Sequence, residues 1–133
     1  MTQITRPDLD IEENIRDIVA HYPPLQADRY HVHISVQDGA VVLSGHVRSL
    51  VTRRYLVDHV ARVSGVYAVD SDSLYTEETI RLEAGQWILT GVIANADYGT
   101  VILTGQLAES MNAEAIARDL ARIPGVERVI AKF

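Results

Sequence analysis

The sequence predicts an α+β protein made of two small αβ sandwich units, α-β-β-α-β and then a strand-rich β-β-β-α-β variant, with helices on one face of mixed sheets. Three observations predict it. Val32 to Val47, VHISVQDGAVVLSGHV, reads as one complete hairpin, in which apolar residues alternate on both sides of an Asp38-Gly39 pair suited to a type I′ turn. The hairpin is followed by a helical stripe and a further strand. Shifting the chain by 60 residues lays Val92 to Val129 over Val32 to Val69 with ten identities in 38 positions, mostly at turn and core sites.

The first seven residues read as a loose tail ending in Arg6-Pro7. Asp8 or Asp10 then caps a helix running to about Tyr22, with Ile11, Ile15, Ile18 and Val19 on one side and Glu12 and Glu13 in its first turn. Pro23-Pro24 stops it, and Leu25 to Arg29 is a connector. In the hairpin, Val36 faces Val41 and Ile34 faces Leu43, so both strands put apolar residues on one side. A second helix spans Ser49 to Val63 with a stripe of Leu56, Val57, Val60 and Val63, and Ser64-Gly65 leads into a strand from Val66 to about Leu74. Strand, helix and strand in this order form a crossover, which makes the third strand parallel to the second.

The second unit departs from the first at its start. Glu77-Glu78-Thr79-Ile80-Arg81 is similar to Glu12-Glu13-Asn14-Ile15-Arg16 and would supply a first helix, but Gly85 costs about 1 kcal/mol relative to alanine in a helix interior. A shift of 46 residues instead lays TIRLEAGQWILTGVI (79–93) on HISVQDGAVVLSGHV (33–47). We therefore expect a hairpin over 76–93, turning at Ala84-Gly85, with a bulge near Gly91 to bring Trp87, Leu89 and Val92 onto one face. A last helix, Glu109 to Ile123, buries Ala113, Ile116, Ala117 and Leu120 before the strand Val126 to Phe133. The boundaries expected are 8–75 and 76–133.

Composition narrows the function. The 133 residues are 47% hydrophobic and 23% charged, a globular balance, and no run approaches the roughly 20 apolar residues of a membrane span. The net charge is −6: residues 1–66 hold seven Arg against eight Asp/Glu, and residues 67–133 hold five Lys and Arg against ten Asp/Glu. Nucleic acid is not expected as a partner, because no basic stripe is available for phosphates. Cysteine is absent, which removes disulfides, thiolate metal sites and cysteine nucleophiles. No basic segment followed by an apolar one opens the chain, so a cytoplasmic location is expected if Met1 is the native start.

The residues DGAVVLSGHV (38–47) with VSGVYAV (63–69), and YGTVILTGQL (98–107) with IPGVERV (123–129), resemble the BON domain, named for bacterial osmotic-stress and nodulation proteins. The likeness spans about 8–133. It implies a non-enzymatic binding protein, often tandem, frequently exported to the periplasm or envelope, and associated with phospholipid or another envelope component. These motifs specify turn glycines and core positions, and they carry no chemistry. No cofactor is expected.

Three clusters are candidates for contact. Arg48, Arg53 and Arg54, beside His46, crowd the start of the second helix, where arginines and free N–H groups suit an anionic headgroup. His31, His33 and His46 fall on the hairpin face opposite Ile34 and Leu43, which suits either a cation or pH sensor or a plain solvated face; a committed metal site is not expected. Ile88, Ile93 and Ile102 occupy the matching face of the second unit, where no helix is expected, and suit self-association. Asp70-Ser71-Asp72-Ser73 lacks the glycine and distal glutamate of a calcium loop, and Ser44 and Thr104 have no partner base. The functions expected are therefore a phospholipid or envelope adaptor, a self-associating structural subunit, or a small-molecule or cation sensor.

Overall fold

A computed structural model describes residues 6–87 and 91–133. Helix α1 (Asp8–His21) is followed directly by a short helix α2 (Pro23–Asp28), a single 3-10 turn (Arg29–His31), and the strands β1 (Val32–Gln37) and β2 (Ala40–Val47). Helix α3 (Leu50–Ala61) and strand β3 (Ala68–Thr76) complete the first unit. The second unit is α4 (Glu77–Gly85), β4 (Val92–Asp97), β5 (Thr100–Gly105), α5 (Ala113–Leu120) and β6 (Arg128–Ala131). Each sheet is three-stranded and mixed, in the orders β1-β2-β3 and β4-β5-β6.

The alternation of apolar residues sets the register. Val36 pairs with Val41 and Ile34 with Leu43, as the hairpin pattern requires, and β3 runs parallel to β2. Asp38 and Gly39 have φ of 50° and 82°, and Tyr98 and Gly99 repeat this at 44° and 89°. Both turns thus have the two left-handed residues that match the twist of a tight hairpin. The inward faces build two cores. The first joins Ile11, Ile15 and Val19 of α1 with Leu25, Val41, Leu43, Val47, Leu56, Val60 and Leu74. The second joins Ile80 and Ala84 with Val92, Ala94, Val101, Leu103, Leu120 and Ile123, and two of its members are only alanine.

Four sequence expectations need correction. Proline does not leave 23–29 irregular: Pro23 and Pro24 sit at the first positions of α2, where a missing N–H costs nothing. The last helix starts at Ala113, four residues later than expected, because the Asn112 side chain accepts from Glu114 N and Ala115 N. Residues 77–85 are helical, so the second unit begins like the first, and the expected hairpin turning at Ala84-Gly85 does not form. Thr76 caps α4 by accepting from Thr79 N at 3.0 Å, Glu77 and Glu78 occupy the first turn, and Ile80 and Ala84 are buried at i, i+4 spacing. Gly85 falls at the helix end, where its cost is small. The bulge expected near Gly91 is also not needed, since β4 and β5 pair without a shift from Val92↔Gly105 to Asp97↔Thr100; the irregularity lies in the first sheet, between Val42 and Ser44.

β3 ends at Thr76 and α4 begins at Glu77, so no linker separates the two units.

Helix and hairpin respond oppositely to one substitution. A Cβ at Gly85 would meet nothing within 4 Å. Gly85→Ala should therefore stabilise the protein by about 0.5 kcal/mol in urea unfolding, through helix propensity and a less flexible unfolded chain. A loss of stability would restore the turn.

Candidate functional site

The seam between the units is polar and begins with a requirement of the hairpin turns. The turn N–H groups point away from the strands and need acceptors. In the first unit, Asp8 in the first turn of α1 accepts from Asp38 N at 2.9 Å and Gly39 N at 3.1 Å. In the second, Glu77 in the first turn of α4 accepts from Gly99 N at 3.2 Å. Glu77 is buried, and its second carboxyl oxygen has no partner. Burial pushes its pKa up, with His46 and the turn N–H groups pulling the other way.

Tyr98, held at positive φ in the second turn, reaches into the first unit. Its ring stacks on His31 with centroids 3.6 Å apart, and its hydroxyl donates to Asp28 Oδ1 at 2.7 Å while accepting from Arg48 Nε at 3.0 Å. Asp28, only 1% exposed, also accepts from the Arg48 backbone N–H. Burial, reinforced by a hydrogen bond to Asp28, raises the Tyr98 pKa, which keeps the phenol protonated and able to donate. His46 fills the other side of the seam. Its Nε2 lies 2.6 Å from Gly125 O, so Nε2–H donates there, and Nδ1 lies 4.0 Å from Glu127. Two glycines make this approach possible: a Cβ at Gly99 would fall 2.8 Å from His46 Nε2, and one at Gly125 would fall 2.6 Å from the Tyr75 ring. Glu78 adds a third tie by accepting from Leu50 N while its own N–H donates to Arg48 O.

The three candidate arginines do not converge. Arg48 is engaged with Tyr98 and Asp28. Arg53 lies along the edge of its own sheet, donating to Leu74 O at 2.8 Å and Ser71 O at 2.9 Å. Arg54 is exposed. His31, His33 and His46 border one open cavity of about 380 Å³ together with Tyr30, Tyr75 and Tyr98. His31 and His46 are already committed to Tyr98 and Gly125, and among the described residues no three His, Asp or Glu side chains are grouped to hold a metal.

The apolar candidates fall where the pattern puts them. Ile93 pairs with Thr104, and Asn95 pairs with Ile102, whose parallel neighbour is Ile130. Ile93, Ile102 and Ile130 therefore lie on one face, opposite the buried Ala94, Val101 and Leu103. Ile93 is 59% exposed and Ile130 37%. Ile88 lies outside the described residues. On the same face the first sheet carries the polar His33, Ser35 and Ser44, with Val42 at the position that matches Ile102.

A family model described as the BON domain matches residues 7–74 and 88–133. The chain belongs to the BON domain family. The interval between the two matches holds α4. BON domains are non-catalytic binding modules. No curated protein matches the chain. Among solved structures, CdsD, a structural protein of the Type III secretion system of Chlamydia trachomatis, is 14% identical over 92% of this chain and 90% of that chain, with a TM-score of 0.38. The C-terminal domain of CdsD is 15% identical over 100% and 98%, with a TM-score of 0.37. Among the described residues, no helix is long and apolar enough to cross a membrane.

Asp28, Glu77 and Tyr98 were not singled out by the sequence. Tyr98 does carry a signal, since it replaces Asp38 of the first copy at a turn position where a bulky residue is strained.

Tyr98→Phe should lower stability by about 1–3 kcal/mol in denaturant unfolding, because it leaves a buried Asp28 oxygen without its donor. Glu77 gives a pH-dependent test. Its folded pKa is raised, so the stability it contributes is full below the ordinary glutamate value and is lost as pH rises through the folded one. Glu77→Gln, which keeps the acceptor for Gly99 N–H, should gain on the parent as pH climbs from about 4 to 7 in parallel melts. A constant difference between the two would leave the Glu77 ionisation without a role.

Proposed function

We propose that this tandem BON protein is a structural subunit that associates with copies of itself through the bare face of the β4-β5-β6 sheet. The observation that carries the reading is the stripe of Ile93, Ile102 and Ile130 crossing all three strands, with Ile93 59% exposed and, among the described residues, no helix on that side. Apolar surface of this kind is a partner surface when it is contiguous. Asn95 and Thr104 fill the positions between the isoleucines, so the centre of the face is uncharged. Arg128 and Lys132 flank Ile130 at the rim of the same face. A second copy offers the same uncharged stripe, and a two-fold arrangement lays the stripe on itself.

Sedimentation velocity over a concentration series tests the reading. The parent should associate, and more strongly with added salt, since residues 67–133 carry ten acids against five bases and repel their own kind. Ile93→Lys and Ile102→Glu should each weaken association at least about tenfold, or about 1.4 kcal/mol, with unchanged circular dichroism. A parent that remains monomeric at high concentration ends the proposal.

The family resemblance supports a second reading, contact with phospholipid or another envelope component through Arg48, Arg53 and Arg54. Its local support is narrow. Arg54 is exposed, but Arg53 is bonded to β3, and the first free N–H of α3, at Leu50, is taken by Glu78. Co-sedimentation with anionic vesicles at low salt separates the readings: binding by the parent that is lost in the triple Arg→Ala variant favours the lipid, and no binding by the parent removes it.

A further inference from the structure

The two sheets end in parallel edge strands of the same origin, β3 and β6, and the chain treats them differently. On β3, the outward carbonyls of Ser71 and Leu74 are both taken by the Arg53 guanidinium. An arginine across a strand edge consumes the acceptors that a foreign strand would need. In the 60-residue repeat, the position of Arg53 is held by Ala113, which has no such reach. On β6, Arg128 N donates to Gly99 O and Lys132 N to Leu103 O, so alternate residues bond inward and the main-chain groups of Val129 and Ala131 face outward. Among the described residues, no side chain bonds to either of them. One edge is closed and its counterpart is open.

We infer that the outer edge of β6 is a second self-association contact, pairing antiparallel with β6 of another copy. The inference rests on the proposed self-association and adds to it a different surface. A copy of the same strand is the occupant that fits, because Ile130 lies at the edge of the apolar stripe and a second β6 continues that stripe across the junction. Register is limited by charge. A two-fold centred on Ile130 would set Arg128 against the second Lys132, whereas one centred on Val129 pairs the two valines by main-chain bonds and sets Arg128 against the second Ile130. β6 has four residues, so the contact is weak alone and gains from the face contact. Face and edge are separate two-fold surfaces, so an assembly using both grows beyond a dimer.

Hydrogen exchange on the full chain over a concentration series, read with sedimentation, decides this. The amides of Val129 and Ala131 should exchange freely when dilute and become protected at least tenfold as concentration rises. Ile102→Glu should reduce assembly size yet keep that protection at high concentration. Ala113→Arg installs the missing plug, and should stop growth at the dimer and abolish the protection. Arg53→Ala, which opens β3, should enlarge the assembly. If the parent associates while Val129 and Ala131 exchange equally fast at every concentration, the edge contact is wrong and the face contact stands. If the parent never associates, both fall.

Discussion

Two N–H groups at the tip of a tight hairpin must find an acceptor, and each unit of this protein meets that demand with an acid from the first turn of its leading helix. Asp8 and Glu77 do the same work in the two copies. This tie fixes where α1 and α4 start relative to their sheets, and therefore which residues enter each core. In the second unit the same tip also supplies Tyr98, whose hydroxyl and ring are held by Asp28, Arg48 and His31 of the first. The turn that orders one unit thus also joins it to the other. The smaller second core, with alanine at two of its eight buried positions, makes this junction matter for stability.

The copies differ by one methylene at that tie. Asp8 spends both oxygens on the first turn, whereas Glu77 spends one and keeps the other unpartnered. Burial then favours the protonated form, with His46 the largest opposing influence. Repeats that share a fold need not share an electrostatic role, and here the acid that ties the turn differs between the copies at the seam.

Much of this was legible in the sequence. The hairpin at 32–47, its register, the crossover to β3 and the 60-residue repeat follow from apolar alternation and turn glycines, which are local properties. The bare stripe of Ile93 and Ile102 was legible for the same reason, since side-chain parity along a strand assigns the face. What failed was non-local. Residues 77–85 satisfy both a hairpin and a helix pattern; the Thr76 cap is local, but the packing of Ile80 and Ala84 on β4 is not, and a window of sequence does not contain it. The seam was invisible for a related reason: Asp28 and Tyr98 are 70 positions apart and meet only once both units are built. The arginine cluster was misleading because proximity in sequence at the start of α3 does not produce convergence, and Arg53 turns to the edge of β3 instead.

The direct passage from β3 into α4 at Thr76 has a mechanical side. A tandem protein with a flexible tether takes up tension by straightening the tether first. Here there is nothing to straighten, so a pull on the second unit arrives at once along the axis of β3, where the strand lies parallel to β2 over the register from Ala68 to Thr76. Hydrogen bonds across such a pair are loaded side by side in shear, and must yield together and not one after another. Arg53, bridging from α3 to the carbonyls of Ser71 and Leu74, is strapped over the far side of that same strand. The joint between the two units is therefore built as a lap joint, and a load on one unit passes to the other with no tether to stretch first.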